Sequence, residues 1–344
     1  MNFRWFFYFS LYFLIGCSDT NDLGTSRQFE FTYQIDLDQT ENKVEVWFPI
    51  PQTNEVQLIS NEKLVHGNLN CEQLSESIHG NHYYYCSNEN GLKDNITLTY
   101  TCHVKRSEHG AINYNNIMTR NYDKGTNHIT VPEGDIFNDI IDANNLSKNN
   151  IRAIYDYVLN GMHYGKPKNQ ESQYYKDPWL SENGKYGRKE VSRDEVVFLY
   201  QKSKIDGSDY TFGNGNSIYA CNIGVGNCTD YHSYFMSLSR TMDIPARFHM
   251  GFSIPNGVSG QVDGYHCWAD YYVKGEGWYP IDISEADKNP KKEDYFFEKL
   301  DYNRVEFSTG RDLELYNYKK HINFFIYPLV EGTTFIKSFN YRNI

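Results

Sequence analysis

The segment Gly224-Val225-Gly226-Asn227-Cys228-Thr229-Asp230 has the pattern of a glycine-rich loop that leads into a helix, and it is the most informative part of the sequence. Asn227 is suited to be the N-cap of that helix, and the helix must end by Ile244-Pro245. Cys228 is therefore expected in the first turn, where free backbone N–H groups and the helix dipole favour a thiolate. The alternative for this position is a buried structural cysteine.

A catalytic thiolate needs a partner that accepts and donates protons, and His266 is the candidate. The segment from Gly264 to Asp282, which contains it, has the pattern of a β-hairpin. A four-residue loop (274–277) would set Asp282 opposite Ala269, on the face away from His266. A three-residue loop (274–276) sets Asp282 opposite Trp268, as a diagonal neighbour of His266 on the same face. The second register is predicted here.

Three motifs in the order Cys, His, Asp resemble those of bacterial transglutaminase-like proteins. The first motif comprises Gly226-Asn227-Cys228-Thr229-Asp230-Tyr231-His232-Ser233, Arg240, Ile244-Pro245-Ala246-Arg247-Phe248 and Gly251-Phe252. The second and third are Tyr265-His266-Cys267-Trp268-Ala269 and Gly277-Trp278-Tyr279-Pro280-Ile281-Asp282. The resemblance spans roughly Ser147 to Glu331. It implies an α+β fold, in which a papain-like core packs the cysteine-bearing helix on an antiparallel sheet.

The resemblance also implies a chemistry. Cys228 would be the nucleophile, His266 the general base and then acid, and Asp282 the residue that orients the imidazole. The backbone N–H of Cys228 is an expected oxyanion donor, and Asn222, six residues upstream, is a candidate for the second. The expected activity is attack on an amide or peptide bond of a protein or peptide substrate through a thioester, without a cofactor. Hydrolysis is favoured over transfer to an amine, and a catalytically idle binding or scaffold module is the alternative.

The first half of the chain has the pattern of strands and turns. Residues 29–35 and 44–48 alternate apolar and polar side chains, and Pro49 stops the second run. The runs 83–85 and 96–100 flank Asn88-Glu89-Asn90-Gly91, which predicts a hairpin. The spacing of these strands favours an all-β, sandwich-like domain over residues 29–140. A structural disulfide between two of Cys71, Cys86 and Cys102 is expected there.

Helical patterns replace the strands near Asp142, which places a catalytic domain over residues 141–344. Ser147 is a predicted cap for a helix with an apolar face that Gly161 closes. Ser192 to Glu195 has the pattern of a capping box before another helix.

The N-terminal residues 1–17 have the pattern of an export signal. Arg4 precedes a short apolar run, which ends in Leu14-Ile15-Gly16-Cys17 before a polar linker (residues 18–28). A small residue before Cys17 resembles the lipobox of bacterial lipoproteins. Cys17 would then carry the lipid, and the protein would be anchored to a membrane of the bacterial cell envelope. An ordinary cleaved signal with an incidental cysteine is the alternative.

Charge and cysteine spacing weigh against two other functions. The net charge of −11 argues against a nucleic-acid partner, since phosphate binding needs a basic face. A zinc site could be imagined from a set of thiols and imidazoles, namely Cys221, Cys228, His232, His266 and Cys267. Because His266 and Cys267 are adjacent on a predicted strand, they should point to opposite faces, so no metal is expected.

Overall fold

The computed structural model describes residues 23–114, 122, 131–165 and 193–344. The predicted signal (residues 1–17) with Cys17, and Ser192 of the predicted capping box, lie outside the described residues. In these described ranges no helix is both long and apolar enough to span a membrane.

Fifteen strands and seven α-helices make up the described part of the chain. The strands are β1 Leu23–Leu37, β2 Val44–Pro49, β3 Gln57–Val65, β4 Asn70–Ser75, β5 His82–Asn88, β6 Ile96–His109, β7 His163–Tyr164, β8 Val225–Gly226, β9 Ala246–Ser253, β10 Ser259–Gln261, β11 Tyr265–Val273, β12 Gly277–Ile281, β13 Arg304–Thr309, β14 Leu329–Glu331 and β15 Phe335–Asn343. The helices are α1 Asp135–Ala143, α2 Ile151–Gly161, α3 Arg193–Asp206, α4 Ser217–Ile223, α5 Cys228–Thr241, α6 Ile283–Lys288 and α7 Glu293–Phe296.

Two antiparallel sheets face each other in the first half of the chain. One has the strand order β10-β15-β1-β6-β3, and the other has the order β14-β2-β5-β4. The alternation of β1 is confirmed, since Phe29, Phe31, Tyr33 and Ile35 are all buried. Tyr33 meets Phe48 of the facing sheet with ring centroids 4.5 Å apart. The apolar face of each sheet is therefore buried against the other, as in a sandwich.

The predicted hairpin between residues 83–85 and 96–100 is wrong. Strand β5 pairs with β2 and β4, whereas β6 pairs with β1 and β3 in the other sheet. The connecting turn crosses between sheets, because both strands have an apolar face that the facing layers bury. The expected disulfide is confirmed and joins Cys71 to Cys86 across neighbouring strands β4 and β5.

The helix predicted after Ser147 is present, but its cap is different. Helix α2 begins at Ile151, and the Asn150 side chain accepts a hydrogen bond from the Ala153 N–H at 3.2 Å. Ser147 lies one turn earlier and accepts from the Asn149 N–H. Asn150 is thus the residue that satisfies a free donor of the first helical turn.

The third sheet, with the order β12-β11-β9-β13, lies against helix α5. Every residue of α5 from Cys228 to Arg240 is buried, so this helix runs through the interior. Phe235 of α5 meets Tyr271 of β11 with ring centroids 6.2 Å apart. The predicted packing of the cysteine-bearing helix on an antiparallel sheet is therefore confirmed.

The end of the chain returns to the sheets of the first half. Strand β15 pairs with β1 from Phe29↔Asn343 to Leu37↔Phe335, and β14 pairs with β2. The predicted boundary at residue 140 stays a prediction. Its C-terminal side nevertheless contributes three strands, β10, β14 and β15, to the sheets on its N-terminal side.

Candidate active site

The start of helix α5 is fixed by a reciprocal set of hydrogen bonds. The Asn227 side chain accepts from the Thr229 N–H at 2.9 Å, and the Asp230 carboxylate accepts from the Asn227 N–H at 3.0 Å. Asp230 also accepts from the N–H groups of Gly213 and Gly215 at 2.8 and 2.9 Å. The predicted N-cap is confirmed, and this capping box ties the glycine-rich loop to the turn that carries Cys228.

The hairpin register is the one predicted. Val273 pairs with Gly277 and Ala269 with Ile281, so the loop has three residues (274–276). Asp282 follows directly after β12, and its Oδ2 lies 2.7 Å from Nε2 of His266. Nε2 of the imidazole thus faces the carboxylate, and the Cys228 side chain is close enough to the ring to raise its pKa.

The Asp282 carboxylate has partners on both oxygens. Oδ1 accepts from the Ser284 hydroxyl at 3.0 Å and from the Glu285 N–H at 3.1 Å, which makes Asp282 the N-cap of α6. Oδ2 accepts from His266 and from Nη1 of Arg304, the latter at 3.1 Å. A carboxylate with four donors cannot rotate freely, so it holds the His266 ring in one orientation.

His232, the other histidine near Cys228, has a structural place. Its Nδ1 lies 2.7 Å from the Cys228 carbonyl oxygen, and its Nε2 accepts from the Ile283 N–H at 3.1 Å. An acceptor at Nε2 and a carbonyl at Nδ1 require the neutral ring with its proton on Nδ1. Burial lowers the pKa of His232 to about 4, in agreement with that state. His232 therefore links the first turns of α5 and α6.

The site favours an ion pair between Cys228 and His266. Burial by itself raises the pKa of the Cys228 thiol, but hydrogen bonds from the Cys267 and His266 side chains and the nearby charges bring it well below its ordinary value. Burial lowers the pKa of His266, yet Asp282 and the Cys228 sulfur raise it to about 9. At neutral pH these shifts leave the proton on the imidazole and the negative charge on sulfur.

Cys267, on strand β11, lies next to Cys228. Its Sγ lies 3.8 Å from Nδ1 of His232 and 3.9 Å from Oγ1 of Thr229. Burial, followed by the adjacent Cys228 sulfur, raises the pKa of Cys267 well above its ordinary value. Although they are adjacent on β11, His266 and Cys267 both lie near Cys228. Among the described residues, no group of three or more His, Cys, Asp or Glu side chains is arranged to hold a metal ion.

Asn222 lies in the last turn of α4, half-buried, in a helix rather than the loop that the sequence indicated. Its assignment as an oxyanion donor stays a prediction. The Tyr265 phenol instead contacts both neighbours of Cys228. Its oxygen accepts from Nδ2 of Asn227 at 3.0 Å and lies 3.3 Å from Oγ1 of Thr229.

An ion pair on α6 lies beside His266. Nζ of Lys288 lies 2.6 Å from Oε1 of Glu285 and 4.2 Å from the centroid of the Tyr164 ring. The same Glu285 oxygen is 3.9 Å from Nε2 of His266. Both side chains of the pair are about a third exposed, at 35% for Lys288 and 28% for Glu285. This pair and Tyr164 therefore form a partly exposed group beside His266.

Arg304 is a site residue that the sequence analysis missed. It lies at the start of β13, outside all three motifs, and its side chain is 1% exposed. A single arginine at a strand start has no pattern that would single it out. Its buried contact with Asp282 exists only because β13 joins the sheet next to β9.

Residues 185–283 match the sequence model of the transglutaminase-like superfamily. The match contains Cys228, His266 and Asp282 and covers less than a third of the chain. This part of the protein therefore carries a transglutaminase-like core, and the predicted α+β fold class is confirmed.

One curated relative and two solved structures are similar to the chain. An uncharacterized protein of Haemophilus influenzae is 29% identical over 152 residues, which cover 35% of this chain and 41% of the relative. A candidate cysteine protease from Cytophaga hutchinsonii is 13% identical, with 92% of this chain and 91% of that chain covered and a TM-score of 0.49. The periplasmic domain of TgpA from Pseudomonas aeruginosa is 11% identical, with coverages of 79% and 93% and a TM-score of 0.30. The chain thus spans under half of the length of its curated relative.

Proposed function

We propose that the protein is a cysteine-dependent enzyme that cleaves amide or peptide bonds through a thioester. The observation that carries the proposal is the arrangement at Cys228. The thiol lies in the first turn of a buried helix beside the His266 imidazole, whose Nε2 lies 2.7 Å from Asp282. A thiol, an imidazole and a carboxylate in this order form a nucleophile, a proton carrier and an orienting group.

The first half of the reaction forms the thioester. The Cys228 thiolate attacks the carbonyl carbon of the substrate, and the electron pair of the C=O bond moves to oxygen. The backbone N–H of Cys228, at the first position of α5, is the proposed donor to that negative charge. As the tetrahedral intermediate collapses, the C–N bond breaks, and the His266 imidazolium gives its proton to the leaving nitrogen. An amine leaves, and the acyl group stays on sulfur.

The second half returns the enzyme to its starting state. Neutral His266 takes a proton from water, and the resulting hydroxide attacks the thioester carbonyl. The C–S bond then breaks, which releases a carboxylic acid and restores the thiolate beside the imidazolium. Attack by an amine instead of water would give a new amide. We favour water because it is the default acceptor for a thioester.

The protein is also proposed to act outside the cytoplasm, as a lipoprotein anchored through Cys17 and facing protein or peptide substrates of the cell envelope. The signal-like pattern of residues 1–17 supports this. The Cys71–Cys86 disulfide adds support, because such bonds persist in oxidising compartments.

The proposal is tested by capture of the acyl-enzyme. The protein is mixed with an amide and peptide library, quenched in acid and analysed by intact mass and peptide mapping. An acyl adduct on Cys228 is expected, and Cys228→Ala should carry none. Cys102→Ala is the matched control, since it removes another buried thiol from strand β6 and should form the adduct like the parent. A protein that binds library members but never forms an adduct would be the idle module, and the enzymatic proposal would fail.

A further inference from the structure

Arg304 holds two carboxylates at once, and one of them belongs to the proposed triad. Its Nη1 lies 3.1 Å from Oδ2 of Asp282, and its Nη2 lies 3.2 Å from Oδ2 of Asp301. The guanidinium also packs on Trp268, 5.0 Å from the ring centroid. Because the arginine is buried on every side, its charge acts on Asp282 with little screening by solvent.

Arg304 and His266 donate to the same oxygen atom of Asp282. Arg304 thereby holds in place Oδ2 of Asp282, which is the oxygen that accepts from His266. The positive charge of the guanidinium also offsets part of the negative charge that His266 would otherwise feel. A bare carboxylate at 2.7 Å would hold the imidazolium proton more tightly than a carboxylate that is already paired with an arginine.

We propose that Arg304 is a positioning residue for the triad, which fixes the Asp282 carboxylate and weakens its hold on the His266 proton, so that the imidazolium can protonate the leaving nitrogen. The inference rests on the proposed function, because it assigns a role within that same site. It concerns the acid step, in which too strong a carboxylate would make His266 a poor proton donor.

Other charged and titratable groups also face His266 and Asp282. They are Cys228 and His232 on α5, Cys267 on β11, Glu285 and Lys288 on α6, Tyr155 on α2, Tyr164 on β7, and Asp301 before β13. His232 is neutral, and Glu285 is paired with Lys288. Unlike these groups, Arg304 is a buried guanidinium that contacts the Asp282 carboxylate directly.

The two carboxylates of Arg304 allow a test with opposite signs. Arg304→Met removes a positive charge next to Asp282 and should let His266 keep its proton to higher pH. Asp301→Asn removes the other counter-ion of Arg304, so the full arginine charge acts on Asp282 and His266 should lose its proton at lower pH. Arg304→Lys keeps the charge. A residue with only a packing role would not produce shifts of opposite sign.

The readout is the reaction of Cys228 with iodoacetate between pH 4 and 11, measured on the full chain, which needs no known substrate. The rate of this anionic reagent rises as the thiolate forms and falls as the neighbouring imidazolium loses its charge. We expect the falling limb of Arg304→Met to move up by about one pH unit and that of Asp301→Asn to move down by about half a unit. Arg304→Lys keeps the positive charge, so its falling limb should move less than that of Arg304→Met. Arg152→Met, which removes an arginine from the surface of α2, is the charge-matched control and should not shift.

The inference would be overturned if the parent shows both the rising and the falling limb of the iodoacetate rate profile and the falling limb of Arg304→Met is unshifted. The proposed function would then still stand. A parent without a falling limb, whose thiol titrates like an ordinary cysteine, would overturn the proposed function as well. Where Arg304→Met does not fold, Asp301→Asn decides the question. A downward shift supports the role of Arg304, and an unshifted limb overturns it.

Discussion

Nδ1 of His232 lies 2.7 Å from the backbone carbonyl oxygen of Cys228, one helical turn away on the same helix. The other ring nitrogen accepts from the Ile283 N–H, directly after the residue that orients His266. The imidazole therefore joins the backbone at the proposed nucleophile to the backbone at the proposed orienting residue. Its function is to fix distance within the site rather than to move protons.

His232→Ala should destabilise the protein without changing which group acts as the base. The change leaves the buried Ile283 N–H without its acceptor, which costs about 1–3 kcal/mol. Thermal unfolding should detect the loss. The alkaline limb of the iodoacetate profile should stay where the parent has it in His232→Gln, which can still donate and accept. A limb that disappears in His232→Gln would make His232 the base.

Graded effects are expected in the proposed triad. Cys228→Ala should abolish turnover because no thioester can form, and His266→Ala should be nearly as severe. Asp282→Asn should reduce kcat by about 10²-fold to 10⁴-fold, depending on the tautomer that it imposes. The measurements are activity and thermal unfolding on the same preparations.

Stability separates these variants further. Asp282 also caps α6 and pairs with buried Arg304, so Asp282→Asn should lower the melting temperature, whereas Cys228→Ala should stay near the parent. Activity that falls only in step with the loss of fold would reduce all three residues to core positions. Full activity in Cys228→Ala would end the enzymatic proposal.

Among the free cysteines of the described residues, Cys228 should be the one that is alkylated quickly near neutral pH. The pKa of Cys228 is held well below its ordinary value, whereas burial and the adjacent sulfur raise the pKa of Cys267. Peptide mapping after a short pulse of iodoacetamide should find the label on Cys228. Equal labelling of Cys221 or Cys267 would contradict the assignment of the nucleophile.

The pH dependence of kcat/KM should be bell-shaped. The active form has Cys228 ionised and His266 protonated, so activity appears as pH rises through the lowered pKa of the thiol. It is lost as pH rises through the His266 pKa of about 9, because the leaving amine is then no longer protonated. An acid limb near pH 7 would instead report Asp230, whose pKa burial raises to about 7. Loss of the capping box would then be visible as loss of fold.

Membrane attachment should depend on Cys17, which lies outside the described residues. Cys17→Ser should leave the protein unprocessed or release it from membranes, since the lipid would have no attachment site. Fractionation of cells that express the full chain measures this, with Cys102→Ala as the control. Unchanged attachment of the Cys17→Ser protein would exclude the lipoprotein interpretation.

Local patterns predicted the parts of the site that neighbouring residues control. Asn227 could be predicted as a cap because capping depends on residues within one turn. The loop of residues 274–276 set the hairpin register, and the register put His266 and Asp282 on one face. The alternation of apolar and polar residues in β1 predicted its buried face, because successive side chains of a strand point to opposite faces. The hairpin between β5 and β6 was predicted wrongly, since alternation shows that a strand has an apolar face but not which sheet contains it.

Local sequence patterns predict the order of the proposed nucleophile, base and orienting residue, and they predict that Cys228 lies at the start of a helix. These properties follow from capping, strand period and turn length, which act over a few residues. Three contacts are evident only in the folded protein. Arg304 shares the Asp282 carboxylate with His266, Cys267 lies next to Cys228, and β15 pairs with β1. Such contacts join residues far apart in the chain, and they form because buried charges and strand edges need partners that no local pattern specifies.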